Sequence, residues 1–393
     1  MITRRSLVQS GLAAGLLPAF GLKAAYAATP EDRRLVVIIL RGAMDGLSVV
    51  APYSDPAYAP ARGKLALEIG KDATKLDEMF ALNNALSAFG AGFGAGEALA
   101  VHAVASPARG RSHFDSQNVL ETGGLAPYQY SSGWLNRALA AIPRAEAIAV
   151  TTGMPALLQG PAKVGSWSPS HLPEPNSDLA DRISQMYESD PLLHAAFTEA
   201  QVLNSLAKEA GSDKMAATNG KPLTTLGGVA AKLMAAPNGP QFVVLERGGW
   251  DTHANQAGAL TNSLSDLDAT MAAFKSGLGP LWARTAILCV TEFGRTVAVN
   301  GTNGTDHGTG TCALLYGGAV RGGRVVADWP GLAQANLFEG RDLKPTADVR
   351  SVIKGVLMDH IGIDASRLAT SVFPQSAAVA PMRGLIRPSL SAA

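Results

Sequence analysis

The sequence predicts an α/β fold, a largely parallel β-sheet with helices on both of its faces. Short apolar runs without polar alternation recur along the chain, as expected of strands that are covered on both faces. These candidate strands are residues 35–40, 98–104, 147–150, 241–246, 285–290 and 312–318. Longer segments with helical patterns separate them, at residues 115–122, 133–141, 177–209 (interrupted near Pro191), 224–236, 257–276 and 347–361. Such alternation is typical of a parallel sheet, in which ligands bind beyond the carboxyl ends of the strands.

The first 27 residues predict an export signal. The twin arginine Arg4-Arg5 precedes an apolar stretch of about 15 residues and a small-residue cleavage signal that ends at Ala27. The apolar stretch is short for a membrane span, so we expect cleavage between Ala27 and Ala28 and no stable membrane anchor. An uncleaved anchor is the alternative. We expect a bacterial protein that engages the twin-arginine export machinery and resides in the periplasm or outside the cell.

The composition of the remaining 366 residues excludes one class of partner. The removed segment carries three basic residues and no acid, which leaves 30 basic and 32 acidic residues and a net charge of −2. A nucleic-acid partner would need a clustered basic face, which this balance does not indicate. The length suits one large α/β domain or two smaller ones. We place a single domain at 28–393, with cap-like loop excursions near 51–75 and 152–176.

The two cysteines, Cys289 and Cys312, both lie inside apolar runs. An oxidising compartment permits a disulfide between them if their strands are neighbours. Two buried free thiols are the other interpretation, and neither interpretation makes these residues catalytic.

Polar residues of catalytic type stand next to the predicted strands. Four segments that carry them directly follow a strand, and the fifth, "GTDHGTG", directly precedes one. In chain order the candidates are Asp45, Arg111, Ser112, His113, Asp251, His253, Glu292, Arg295, Asp306 and His307. Several carboxylates in one crevice repel each other unless a cation lies between them. A mixed set of oxygen and imidazole ligands suits Zn²⁺ or Mn²⁺ better than Ca²⁺, so we expect one or two divalent metal ions per chain.

Several of these candidates also have a purely structural interpretation. Asp45 lies in a glycine-flanked segment and can be an ordinary turn residue. Ser112 can be the N-cap of a helix, which is compatible with a nucleophilic role because a helix N-terminus stabilises an anion. Glu292 can simply pair with Arg295. Asp306 can shape its loop while the neighbouring histidine does the chemistry.

Five blocks of the chain resemble the secreted bacterial family catalogued as domain of unknown function 1501. The blocks are "LRGAMDGLSVVAPY", "GRSHFDSQNVLETG", "RGGWDTHANQ", "TEFGRTVAVNGTNGTDHGTG" and "GGRVVADWPGL". The resemblance covers nearly the whole mature chain. Because this family is grouped with the alkaline phosphatase-like fold, the resemblance implies that fold and, more distantly, the chemistry of that superfamily.

Enzymes of the alkaline phosphatase type hold two divalent metals beside a nucleophile at the start of a helix. The resemblance implies that Asp45 is a ligand of the first metal and that Ser112 is the nucleophile. Asp251 and His253 resemble ligands of the second metal, although they are two residues apart where the superfamily has a spacing of four.

The remaining ligands are implied by position. Glu292 resembles the carboxylate of the first metal, and His307 resembles the final ligand of the second. Asp306 would hold the ring of His307 or bind metal itself. Phe293 stands where the superfamily has a histidine, so the first site lacks a ligand unless His113 or a water supplies it. A one-metal site and a site that binds without turnover both stay open.

The reaction that the resemblance implies is hydrolysis of a small anionic phosphate or sulfate ester. A metal would lower the pKa of the Ser112 hydroxyl or of a water, and the helix N-terminus with Arg111 or Arg295 would stabilise charge on the equatorial oxygens. His113 would transfer a proton or act as a ligand. Two alternatives stay open: direct attack by water, and a non-catalytic secreted protein that retains the fold as a binding scaffold.

Overall fold

The computed structural model describes residues 33–168, 176–209 and 223–388. The strands in this part of the chain are Arg34–Leu40 (β1), Val50–Ala51 (β2), Ala73–Lys75 (β3), Ala81–Asn83 (β4), Ala98–Ala105 (β5), Ala147–Val150 (β6), Gly165–Trp167 (β7), Phe242–Arg247 (β8), Thr285–Val290 (β9), Thr311–Tyr316 (β10), Arg324–Val326 (β11) and Ala347–Asp348 (β12). The α-helices are Gly46–Val49 (α1), Tyr58–Arg62 (α2), Ser87–Gly94 (α3), His113–Thr122 (α4), Trp134–Leu139 (α5), Ser177–Tyr187 (α6), Pro191–Glu209 (α7), Leu223–Ala235 (α8), Gln256–Leu278 (α9), Val349–Val356 (α10) and Ala365–Arg367 (α11). Two π-helical turns, Leu357–Ile361 and Leu368–Val372, continue the last two helices.

The main sheet has the order β11-β5-β10-β9-β1-β8-β6-β7, with β12 beside β5. Every pairing in it is parallel except those of β10, which runs antiparallel to both β5 and β9. All six predicted strands are present in this sheet, so the predicted largely parallel α/β fold is confirmed. A small second sheet, β2-β4-β3, was not expected because its strands are too short to show a pattern.

The central strand β1 shows why the runs lack alternation. All seven of its residues are buried. Val36, Ile38 and Leu40 belong to the apolar core on one face, whereas Leu35 and Val37 belong to the core on the other. Because each fully buried aliphatic side chain contributes about 1.5–3 kcal/mol, both faces of the sheet are stabilised, and both must be covered.

Helices cover the two faces as predicted. The first core includes Met271 and Phe274 of α9 together with Leu233 of α8. The second includes Trp134 of α5 and Ile353 of α10. Within the described residues, no helix is both long enough and apolar enough to cross a membrane.

The direction of β10 decides which loops meet. The strands β1, β5, β8 and β9 all end at one edge of the sheet, which we call the C-terminal edge. Because β10 is antiparallel to its neighbours, it begins at this same edge. The segment 304–310, which precedes β10, therefore lies beside the loops that follow the parallel strands.

The predicted excursions contain regular elements. Segment 51–75 includes α2 and β3, and segment 152–176 includes β7, which adds a last strand beside β6. The described residues fall within one compact unit, Pro30–Pro388. The domain limits and the capping role stay predictions. Cys289 and Cys312 are both buried free thiols, so of the two interpretations of the cysteines the structure has the one without a disulfide.

Candidate metal centre

His307 lies at the middle of a cluster of ligand-type atoms at the C-terminal edge. Its Nδ1 is 2.8 Å from the backbone carbonyl oxygen of Arg111. A carbonyl can only accept a hydrogen bond, so Nδ1 carries a proton, and in the neutral ring Nε2 presents its lone pair. Burial lowers the pKa of His307, which also favours the neutral ring.

His113, the first residue of α4, faces His307. The two Nε2 atoms are 3.0 Å apart, and Nδ1 of His113 lies 2.8 Å from Oε1 of Glu292. Burial alone would raise the pKa of the Glu292 carboxyl, but hydrogen bonds from His113, Gln117 and the Gly42 amide outweigh it and hold that pKa below its ordinary value. The carboxylate therefore accepts the Nδ1 proton, and this hydrogen bond raises the pKa of His113. In the neutral ring, Nε2 of His113 presents the lone pair that can bind a ligand.

His253 approaches from the loop after β8. Its Nδ1 is 3.1 Å from Oδ1 of Asp306, and its Nε2 is 3.0 Å from Nε2 of His307. A hydrogen bond from Asn300, followed by that from His253, lowers the pKa of Asp306. All three rings thus show one pattern, in which Nδ1 donates to a protein oxygen and Nε2 points into the cluster.

Asp251 supplies the carboxylate of the cluster. Its Oδ1 lies 2.9 Å from Nε2 of His253 and 3.2 Å from Nε2 of His307, and its Oδ2 lies 3.4 Å from Nε2 of His113. From behind, Nη1 of the buried Arg295 donates to Oδ1 at 2.6 Å. Burial would raise the pKa of Asp251, and the Arg295 guanidinium reverses this and holds it low.

Three of these side chains, those of His113, Asp251 and His307, form a group that fits a bound divalent metal, and His253 lies beside this group. Ligand atoms of His113, Asp251 and His307 all lie within 4.8 Å of one another, and the contacts between neighbouring cluster atoms range from 2.9 to 3.4 Å. The ligands of a tetrahedral zinc ion, each about 2.0–2.1 Å from the metal, lie about 3.3 Å apart. Imidazole lone pairs that face each other at this distance repel unless a proton or a metal ion lies between them. An acceptor on each Nδ1 is the usual support of a metal-binding histidine.

Two glycines allow the loops to come this close. Gly42, after β1, has φ +119, and a Cβ there would lie 2.6 Å from the backbone nitrogen of Asp251. A Cβ on Gly304 would lie 2.3 Å from the carbonyl of His253. Any side chain at either position would push the His253 loop away from the cluster, since real Cβ atoms do not approach backbone so closely.

Asp45 is near these loops but is not among the converging atoms. It is the N-cap of α1 and is 1% exposed. Its Oδ2 forms an ion pair with Arg62 and accepts hydrogen bonds from Ser48 at 2.9 Å and from Gln256 at 2.5 Å. The ligand role predicted for Asp45 stays a prediction, and in this structure the positive charge beside it is a guanidinium.

Two more predicted ligands, Glu292 and Asp306, contact the histidines of the cluster through hydrogen bonds to Nδ1. Glu292 holds the ring of His113, and Asp306 holds the ring of His253 where the sequence suggested His307. His113, which the sequence offered as a substitute for a histidine at Phe293, lies beside His307 and Asp251, which resemble ligands of the second metal. The ligand roles of Glu292 and Asp306 stay predictions.

Of the predicted catalytic groups, Ser112 is exposed to solvent, whereas the two arginines bond to other groups of the protein. Ser112 is exposed at the start of α4, where its Oγ accepts from the Asp115 amide at 3.5 Å. Arg295 donates hydrogen bonds to Asp251 and Thr305. Arg111 bonds to Asp342 and Glu339. The predicted cleavage site, Ala27 and Ala28, lies outside the described residues.

A change at Glu292 tests the support of His113. Glu292→Gln keeps the shape of this buried side chain but removes the charge that makes the ring a better ligand. We expect about 10–100-fold weaker zinc binding, measured by competition with a chromophoric chelator. Glu97→Gln, which removes a partly buried carboxylate paired with Lys275, should bind zinc as the native protein does. Native affinity in Glu292→Gln would contradict the assigned support.

Several solved structures are similar to this chain at low sequence identity. An alkaline phosphatase from the Antarctic bacterium TAB5 is 13% identical, with 74% of this chain and 92% of that chain covered and a TM-score of 0.35. The C-terminal periplasmic domain of EcEptC from Escherichia coli, in complex with Zn, is 9% identical, with 89% and 87% covered and a TM-score of 0.38. Ps i-CgsB, in complex with k-i-k-neocarrahexaose, is 11% identical, with 75% and 68% covered and a TM-score of 0.35.

All three TM-scores lie below 0.5, so these likenesses carry no argument about the chemistry of the site. No curated protein matches the chain. The match to a protein family is of a different kind, because it extends over residues 32–373 and so over most of the sequence. The chain therefore belongs to the family described as "Protein of unknown function (DUF1501)".

Proposed function

We propose that the protein is an exported, metal-dependent hydrolase of phosphate or sulfate esters. One observation carries the metal dependence: three imidazole Nε2 atoms and the Asp251 carboxylate converge, and each Nδ1 donates to a protein oxygen. The ester class rests on the resemblance of the sequence blocks to the phosphatase-like superfamily. Export rests on the twin-arginine pattern of residues 1–27.

Zn²⁺ is the ion that the cluster fits best, with one ion per chain held by His113, Asp251, His253 and His307. Three nitrogens and one carboxylate oxygen suit zinc, whereas Mn²⁺ favours sets richer in oxygen. When bound, the ion would supply a Lewis acid that neutralises negative charge on an ester oxygen and lowers the pKa of a hydroxyl or water. Asp251 and His253 are 42% and 46% exposed, so the centre is open to a substrate from solvent.

The start of α4 supplies the rest of the proposed site. Ser112 is exposed and directly precedes the ligand His113. The N-terminus of this ten-residue helix carries partial positive charge and unpaired amide groups, which favour a bound anion. We propose that these amides, together with the ion, stabilise the negative charge of the ester. This assigns to backbone amides the role that the sequence suggested for Arg111 or Arg295, whose donors contact other protein groups.

In the proposed reaction, the Ser112 hydroxyl attacks phosphorus or sulfur, the bond from that atom to the ester oxygen breaks, and the departing alkoxide takes up the serine proton and leaves as the alcohol. Water then releases the inorganic acid and restores the serine. Arg295 acts indirectly, because it keeps Asp251 ionised and in place.

Replacement of Ser112 tests the nucleophile. We expect Ser112→Ala to lower kcat on 4-nitrophenyl phosphate or sulfate by a factor on the order of 10³ or more, with zinc content unchanged. Ser112→Asn should lose the same activity and keep native stability, because asparagine also caps a helix. Substantial activity in both variants would contradict a covalent serine and leave direct attack by water.

The competing proposal is a secreted binding protein without turnover. The ion pairs of Arg111 with Asp342 and of Arg295 with Asp251 favour the binding protein, because these guanidinium groups are then not directed to a substrate. Native protein that contains zinc but turns over neither aryl phosphates nor aryl sulfates would support the binding protein. Turnover that disappears on zinc removal and returns with added zinc would exclude it.

A further inference from the structure

We propose that Asp342 is a positioning residue for the metal centre, because its buried carboxylate joins the two segments that carry His113 and His307. This inference rests on the proposed metal dependence and extends it to a residue in the segment 337–346, far along the chain from every predicted ligand except Asp306 and His307. The sequence contains no signal for this role.

The contacts of Asp342 are divided between the two segments. Its Oδ2 accepts from Nη2 of Arg111 at 2.8 Å and from Nε of the same residue at 3.3 Å. The same oxygen accepts from Oγ1 of Thr309 at 2.9 Å. Arg111 stands two residues before His113, and Thr309 stands two residues after His307, so one carboxylate oxygen ties both segments together.

Arg111 passes this restraint directly to a metal ligand. Its carbonyl oxygen accepts the Nδ1 proton of His307 at 2.8 Å. The place of Arg111 therefore sets both the orientation and the tautomer of the central ring. A second contact acts from the same loop, because Nη2 of Arg341 donates to the carbonyl oxygen of His307 at 2.5 Å.

Burial makes this arrangement rigid. The Asp342 side chain is 0% exposed, with Arg111 on one side and Nε of Arg341 at 3.7 Å on the other. Its Oδ1 has no hydrogen-bond donor within the described residues. The interactions that balance this buried charge thus come mainly from Arg111 and Arg341, which also contact His307. We therefore expect that loss of the charge changes the position of the His307 ring.

Asp342→Asn tests the inference because it keeps the shape, removes the negative charge that faces Arg111, and replaces one carboxylate oxygen with an NH2 group, which donates a hydrogen bond and cannot accept one. We expect zinc affinity to fall about 10–100-fold and the visible absorption bands of the Co²⁺-substituted protein to shift. The matched control is Asp268→Asn. Asp268 is also buried, but it accepts from Ser87 and the amides at the start of α3 and contacts none of the ligand segments. This control should keep native affinity and native bands.

Arg111→Met is the second variant and guards against a failure of Asp342→Asn to fold. It removes the guanidinium and keeps the carbonyl, so a similar loss of affinity is expected. Where the single variants fold, the double variant should bind zinc no more weakly than the weaker of the two single variants. The reason is that both changes remove the same interaction, the ion pair between Arg111 and Asp342. Native affinity and native Co²⁺ bands in either single variant would overturn the inference.

The outcomes also separate this inference from the proposed function. Native protein that binds no metal would overturn both together. Native protein that binds zinc but hydrolyses no ester would overturn the hydrolase alone, and the affinity and Co²⁺ measurements would still decide the role of Asp342.

Discussion

Alanine in place of His307 is expected to strip the purified protein of its metal. The Nε2 atom of this residue lies within 3.2 Å of ligand atoms from the three other side chains of the cluster, so its loss removes the ligand that all the others share. The affinity should fall by more than the roughly 10–100-fold that the loss of an indirect support costs. Elemental analysis of the exported protein measures this directly.

The matched control is His194→Ala, because His194 is an exposed histidine on α7 without a carboxylate or imidazole partner among the described contacts. It should retain the native metal content. Full metal content in His307→Ala would show that the converging rings are not the binding site, whatever the activity of the variant.

Methionine in place of Arg62 is expected to destabilise the fold strongly. Arg62 and Asp45 are 0% and 1% exposed and form a buried ion pair. Removal of one partner leaves an uncompensated charge in the core, which costs about 3–5 kcal/mol. Urea denaturation should show this loss, and the double variant Asp45→Asn with Arg62→Met should recover much of it because neither charge remains.

The same variant decides between two roles of Asp45. If Asp45 is structural, added zinc should bind Arg62→Met no more than it binds the native protein, and the loss of stability should persist. Uptake of a second equivalent of zinc with recovery of stability would show instead that Asp45 is a metal ligand once the guanidinium is gone, as the resemblance to two-metal enzymes implies.

The fold could be predicted from the sequence because its signal is local. The run 285–290 is apolar on both faces and matches β9 residue for residue, and the same holds for 147–150 and β6. The direction of β10 has no such signal, since an apolar strand looks the same in either orientation. That direction determines that His307 reaches the C-terminal edge from a segment before its strand.

The residues of the candidate site could also be predicted from the sequence, but which carboxylate contacts which histidine could not. Carboxylates near a metal are alike in sequence, and only the hydrogen bonds show that Glu292 faces the Nδ1 of His113 and that Asp306 faces the Nδ1 of His253. Arg62 and Asp342 were missed because their roles depend on partners distant along the chain, and neither is part of a recognisable pattern.

The proposed function depends above all on one metal ion held by three histidines and one aspartate. X-ray absorption at the metal edge, with elemental analysis of protein exported by its native route, is the decisive measurement. We expect one equivalent of zinc per chain, bound by three imidazole nitrogens and carboxylate oxygen. Protein without metal, or with two ions per chain, would show that this centre is wrongly assigned.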